Sequence, residues 1–186
     1  MPFLPVANPV ATALAGRMRR YGGRALALLM VPLCVASIAH AHDDAEAASR
    51  GQTIYVPVYS QVHHGNLDTS GKATAELVSV QVSIRNTDTR EPIRILAAPY
   101  YDSNGRVLRQ YISGPRIIPP MGTLELFVEH RENEGGSGAN FMIRWESDKG
   151  EKAVSPPIVE ALHTRIQAGK TLAFISRGKA VATPLP

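Results

Sequence analysis

The sequence predicts an all-β protein: an antiparallel β-sandwich of Ig-like topology, with about seven to eight strands and no disulfide. Two observations carry this prediction. Apolar residues recur at every second position in short segments, and turns rich in glycine and proline separate these segments. From Thr53 onward no window shows the 3.6-residue apolar period of an amphipathic helix. The single cysteine, Cys34, leaves no partner for an intrachain disulfide.

Residues 1–41 have the features of a secretory signal peptide. Four arginines and no acidic residue precede an apolar run over residues 25–39, and small residues surround His40. We therefore expect cleavage near Ala41 and a periplasmic or secreted protein, whose true start is either Met1 or Met18. The apolar run is shorter than the roughly 20 residues of a membrane-spanning helix, so no transmembrane segment is expected after cleavage. Lipid anchoring at Cys34 is the lesser alternative, because Leu33 is not a small residue.

After the leader, residues 42–52 are polar and alanine-rich, and we expect a disordered linker there. Residues 53–182 are predicted to form a single β-sandwich domain. Removing the four leader arginines leaves equal numbers of acidic and basic residues, so the formal charge of +4 belongs to the precursor. The basic residues that remain are scattered singly, so we expect no nucleic-acid partner.

The clearest strand begins at Val78. Between Val78 and Arg85, β-branched residues at even positions alternate with polar or charged residues at odd positions, which predicts one buried and one wet face. The same alternation follows at residues 124–128 and 141–145, and we expect Trp145 at the centre of the core. Asn104-Gly105 predicts a tight hairpin turn. Further predicted strands cover residues 54–59, 93–101, 107–112, 158–164 and 172–176.

Six segments of this chain, taken together in order, resemble a family of small exported bacterial proteins classed as a domain of unknown function. The segments are YVPVYS (55–60), IRNTD (84–88), YYDSNG (100–105), GGSGANF (135–141), PPIVEA (156–161) and FISRG (174–178). The resemblance covers about residues 53–180 and supports the domain boundaries. It implies no catalytic or binding residues, and some members of that family look lipid-anchored.

Two loop regions are candidate binding sites. Tyr100, Tyr101 and Asp102 flank the Asn-Gly turn, where hydroxylated aromatic rings beside charge suit recognition of a peptide or a sugar; they equally suit cross-strand pairing within a sheet. Successive backbone N–H groups of a glycine-rich loop could cradle an anion, but no helix or lysine follows the loop, as a phosphate-binding loop requires. The alternative is a flexible connection. This second candidate site comprises Gly136, Ser137, Gly138 and Asn140.

Phe127 is a third candidate. By the alternation it shares a face with Glu125 and Glu129, opposite to Leu126 and Val128. An exposed phenylalanine on an otherwise acidic strand face indicates an interaction surface, unless a loop or the linker covers it.

Histidines offer a metal-binding alternative. His63 and His64 in a loop could reach one Cu or Zn ion together with His130, or all three could be solvated loop histidines. A hydrolase around Ser137, with Asp148 and His163 in the chain order of an α/β-hydrolase triad, is a remote third hypothesis. The sequence has neither the helices nor the length of that fold.

We therefore expect a non-catalytic binding or interaction module of the cell envelope. Its partner would be an envelope protein or a small ligand, with self-association through an edge strand as one form. The alternative is a periplasmic metal-binding protein that uses His63 and His64.

Overall fold

The computed structural model describes residues 46–182, in which 13 β-strands and two short 3₁₀ turns occur and no α-helix. No helix within this range is long and apolar enough to cross a membrane. The predicted signal peptide, the alternative start at Met18 and the lipidation site at Cys34 lie outside the described residues. The segment predicted as a linker is described from Glu46. It pairs earlier than expected, because Ser49 bridges Val154 and the first strand begins at Gly51.

The strands form three antiparallel sheets. In chain order they are β1 (Gly51–Pro57), β2 (Gln61–His64), β3 (Thr74–Leu77), β4 (Ser79–Arg85), β5 (Ile93–Ala97), β6 (Pro99–Tyr101), β7 (Val107–Gln110), β8 (Arg116–Ile118), β9 (Thr123–Val128), β10 (Asn140–Ser147), β11 (Ile158–Gln167), β12 (Lys170–Arg177) and β13 (Lys179–Val181). The seven-stranded sheet has the order β13-β1-β10-β5-β8, with β6 beside β10 and β7 beside β6. The four-stranded sheet has the order β12-β11-β4-β9, and β2 pairs with β3 alone.

The hydrophobic core lies between the two larger sheets. The even-numbered residues of β4 and the apolar odd-numbered residues of β10 are buried in one cluster. The cluster also contains the inward apolar residues of β1, β5, β9 and β11. Trp145 is fully buried in this cluster, as predicted. Alternating side chains of two facing sheets that fill one core are the arrangement of a β-sandwich. The predicted all-β antiparallel class is confirmed.

The strand count differs from the prediction of about seven to eight strands. The predicted strand 93–101 is divided at Ala98 into β5 and β6. Within β5 the register against β10 shifts, since Arg144 lies opposite Ala97 and Trp145 lies opposite Ile95. Strands β2, β3, β8 and β13 are only three or four residues long, too short to show a period of two. The predicted hairpin is confirmed, since β6 pairs with β7 across a turn in which Gly105 has a φ of 78°.

Candidate functional site

The Asn-Gly hairpin is held by a buried carboxylate. Asp102 Oδ1 accepts hydrogen bonds from the backbone N–H groups of Asn104 and Arg106, both at 2.9 Å, and the Arg106 guanidinium lies 3.2 Å from Oδ2. The hydrogen bond from the Arg106 backbone lowers the pKa of Asp102 below its ordinary value, so the side chain is ionised at neutral pH. Asp102 is buried, and its oxygens accept hydrogen bonds from residues of the turn itself.

Tyr100 is buried as well. Its hydroxyl donates to Glu132 at 2.7 Å, and its ring packs on Phe141 at a centroid distance of 5.0 Å. Burial, together with the neighbouring carboxylate, raises the pKa of the Tyr100 hydroxyl well above its usual value. Tyr101, the remaining residue of the predicted hairpin site, is half-buried and pairs with Asn140 and Val107. Little of the predicted hairpin site is therefore exposed to solvent.

The glycine-rich segment uses its backbone donors inside the protein. The N–H of Gly135 donates to Glu132, that of Gly136 to Ser60 and that of Gly138 to Ser103, each at 2.9 Å. These bonds tie the 3₁₀ turn Gly136–Gly138 to the β1–β2 connection and to the Asn-Gly hairpin. Three N–H groups that could have cradled an anion are thus already occupied. Ser137 and Asn140 are half-buried beside them.

No Ser–His–Asp triad forms from the three residues in hydrolase order. Ser137 precedes the start of β10 and Asp148 follows its end, and an eight-residue strand separates its ends by roughly 25 Å at about 3.3 Å per residue. His163 is fully buried, where its Nε2 accepts the backbone N–H of Tyr59 at 3.1 Å. Its ring stacks on Phe174 at 4.3 Å. Burial lowers the pKa of His163, so the ring is neutral.

Two of the three histidines proposed as metal ligands, His64 and His130, are linked through Glu76 and Arg165. His64 lies 3.9 Å from Glu76, Glu76 forms an ion pair with Arg165, and Arg165 contacts His130 at 2.8 Å. His63 is exposed, and because it neighbours His64 in β2 it points to the opposite face. Within residues 46–182 no group of three or more His, Cys, Asp or Glu side chains could hold a metal ion. The Cu or Zn hypothesis stays a prediction, and the Arg165 guanidinium contacts His130 and the Glu76 carboxylate where a metal ion would have to bind.

The outer face of the four-stranded sheet carries exposed apolar side chains in one row. Ile175 pairs with Leu162, Leu162 with Gln81, and Gln81 with Phe127, so the four residues cross β12, β11, β4 and β9 in sequence. Directly paired residues of antiparallel strands point to the same face. Phe127 and Ile175 are each 58% exposed. Phe127 thus lies on the exposed face that the alternation indicates, and no loop among residues 46–182 covers it.

Two further apolar side chains extend this row along β11. Ile158 and Ile166 share the face of Leu162 and are exposed, so we define the apolar face by these five residues. The five residues of the apolar face are Phe127, Ile158, Leu162, Ile166 and Ile175. Sequence reasoning identified only Phe127. The missed signal lies in β11, where apolar residues occur at both even and odd positions, a pattern typical of a strand covered on both faces.

A cleft of about 660 Å³ opens beside the start of β11. Ile158 of the apolar face lines it together with Pro156 and Pro157, and the ion pair between Arg177 and Glu160 forms a polar wall. The apolar face therefore continues into a concave region that has both apolar and charged groups.

Comparison with solved structures finds a similarity to the crystal structure of Thermotoga maritima 1070, with 12% sequence identity and a TM-score of 0.39, over 72% of this chain and 96% of that chain. No match is found among curated proteins. A family model described as "Protein of unknown function (DUF3124)" matches residues 51–181, from the first residue of β1 to the last of β13. The resemblance to a domain of unknown function is confirmed, and the chain belongs to the DUF3124 family.

Proposed function

We propose that this protein is a non-catalytic interaction module of the cell envelope, exported with cleavage near Ala41. It engages an envelope protein through the apolar face of its four-stranded sheet. The observation that carries the proposal is the cross-strand row from Ile175 to Phe127, whose apolar members are exposed.

The cost of leaving this face uncovered supports the proposal. Single exposed apolar residues are ordinary on a protein surface, but contiguous apolar patches mark contact sites. Polar groups lie among the apolar residues: Gln81, hydrogen-bonded to Glu125 at 2.7 Å, separates Leu162 from Phe127 in the row. Glu160, in an ion pair with Arg177, separates Leu162 from Ile158 along β11. Protein–protein interfaces commonly combine apolar and polar groups in this way.

In-cell photo-crosslinking tests the proposal. The full chain carries a benzophenone amino acid in place of Phe127, Leu162 or Ile175, one position at a time. The matched control is Ile117, which is also apolar and exposed but lies on the edge strand β8 of the other sheet. We expect a discrete crosslinked protein band from the three positions of the apolar face and none from Ile117.

Mass spectrometry of the crosslinked band then identifies the occupant. The absence of a band from all four positions, or a band of equal yield from Ile117, contradicts the proposal. The first result would mean that nothing covers the apolar face, and the second that contact is unspecific.

A further inference from the structure

We propose that a second copy of the same chain adds head to tail at the edges of this sheet, so that β9 of one molecule pairs with β12 of the next. The inference rests on the proposed function and adds to it a partner at the two edge strands, where Phe127 and Ile175 of the apolar face lie. It is carried by the positions, charges and register of the two edge strands.

The four-stranded sheet ends in two strands that each have a ladder partner on one side among the described residues. Strand β9 pairs with β4, and β12 pairs with β11. Edge strands present unpaired N–H and C=O groups that can accept another strand. Because successive strands of the sheet are antiparallel, a second molecule in the same orientation brings its β9 antiparallel to β12.

The two edges carry opposite charge. Glu125 is the charged residue of β9, whereas β12 begins with Lys170 and ends with Arg177. Pairing β12 with β12 would set basic residues against basic residues, and like charges on adjacent strands are destabilising. The charges therefore favour β9 against β12, a contact between two different surfaces.

The register within the molecule sets the register between molecules. Ile175 and Phe127 are the two ends of one cross-strand row, so extending the row places Phe127 of the second copy opposite Ile175. Two residues further along antiparallel strands, Glu125 of the second copy then faces Arg177. All four side chains lie on the outer face, because they differ by two positions along their strands. The same register that joins the apolar ends thus joins the opposite charges.

In a single molecule, Arg177 and Glu125 each have donor or acceptor atoms left for a contact with a second copy. Arg177 is exposed and uses Nε toward Glu160 at 3.2 Å, leaving the remaining N–H groups of the guanidinium. Glu125 accepts from Gln81 through one oxygen, Oε1. A heterologous contact of this kind closes into a ring or continues as a filament, so assembly does not stop at a two-fold dimer.

A charge exchange tests the inference by sedimentation velocity of the full chain over a concentration series. We expect wild type to assemble beyond the monomer. Glu125→Arg and Arg177→Glu, each alone, should weaken association by at least about tenfold. The double variant Glu125→Arg/Arg177→Glu should restore it, because opposite charges face each other again. Arg116→Glu, on exposed β8 of the other sheet, is the matched control and should assemble like wild type.

Circular dichroism of each variant confirms folding, and Glu125→Gln with Arg177→Gln serves as a milder pair. Wild type that stays monomeric at its highest soluble concentration overturns the inference, as does a double variant no better associated than the single ones. The proposed function fails separately: a monomeric protein that still crosslinks a different envelope protein from Phe127 overturns self-association alone.

Discussion

Several polar side chains of this protein hold segments that are far apart in the chain. His163 accepts the backbone N–H of Tyr59, which is 104 positions away, and Gly136 exchanges hydrogen bonds with Ser60, which is 76 positions away. Such partners cannot be identified from local sequence patterns. For this reason the sequence indicated a candidate binding loop at the glycine-rich segment, whereas its backbone N–H groups are hydrogen-bonded within the protein.

The neutral His163 ring makes stability depend on pH. The pKa of His163 is lowered by burial from an ordinary value of 6.5, so the unfolded chain takes up a proton at a higher pH than the folded one. Stability contributed by the neutral ring is present above pH 6.5 and is lost as the pH falls below it, with a slope of up to about 1.4 kcal/mol per pH unit. We expect His163→Gln, whose amide oxygen can accept the Tyr59 N–H, to flatten this slope in urea titrations between about pH 7.5 and 5.5. An unchanged slope would mean that His163 protonates equally in both states.

Gly135 is required by a neighbour and not by its backbone. Its φ of −64° and ψ of −41° suit any residue, but an added Cβ would overlap the Tyr100 hydroxyl. Gly135→Ala should lower the free energy of unfolding by about 1–3 kcal/mol. The loss should shrink in a Tyr100→Phe background, giving a coupling energy of about 1 kcal/mol in a double-mutant cycle. Strictly additive effects in thermal or urea unfolding would contradict the contact.

At the scale of the strands, the residues that alternate over six or more positions were predictable. Val80, Val82 and Ile84 are fully buried, as their spacing indicates, because period two commits a whole face to the core. The division at Ala98 was not predicted: its carbonyl accepts the backbone N–H of Tyr111 at 3.2 Å, a contact that the spacing of apolar residues does not show. Strand β11 shows the further limit: its sequence predicts two covered faces, but no strand or loop among residues 46–182 hides Leu162 or Ile166.

Strand β9 allows a comparison of its two faces. Phe127 is exposed and its neighbour Leu126 is buried. Leu126→Ala should cost about 2–5 kcal/mol of unfolding free energy through the cavity it leaves. Phe127→Ser should stay within about 0.5 kcal/mol of wild type, as is usual for surface substitutions. If Phe127→Ser destabilised the isolated molecule as much as Leu126→Ala, the ring would be part of the fold and not of an interface.

Residues 46–182 form a sandwich whose four-stranded sheet is covered on one side by the core and carries the apolar face on the other. The inward face packs into the core, which has Trp145 and Phe141 among its buried side chains. The outward face offers apolar area and two edges of opposite charge. These features lie on the same sheet, and they support both proposals: a protein partner at the face and a second copy at the edges.

Native mass spectrometry tests this account most directly. The full chain is expressed with its N-terminal segment intact, purified without chelator, and compared with Phe127→Ser and with the control Ile117→Ser. We expect wild type and Ile117→Ser to carry added protein mass, in multiples of the chain if copies associate, and Phe127→Ser to be a monomer. Three bare monomers, or an added mass that Phe127→Ser retains, would contradict the account. A Cu or Zn mass that disappears in His63→Ala/His64→Ala would support the metal-binding alternative instead.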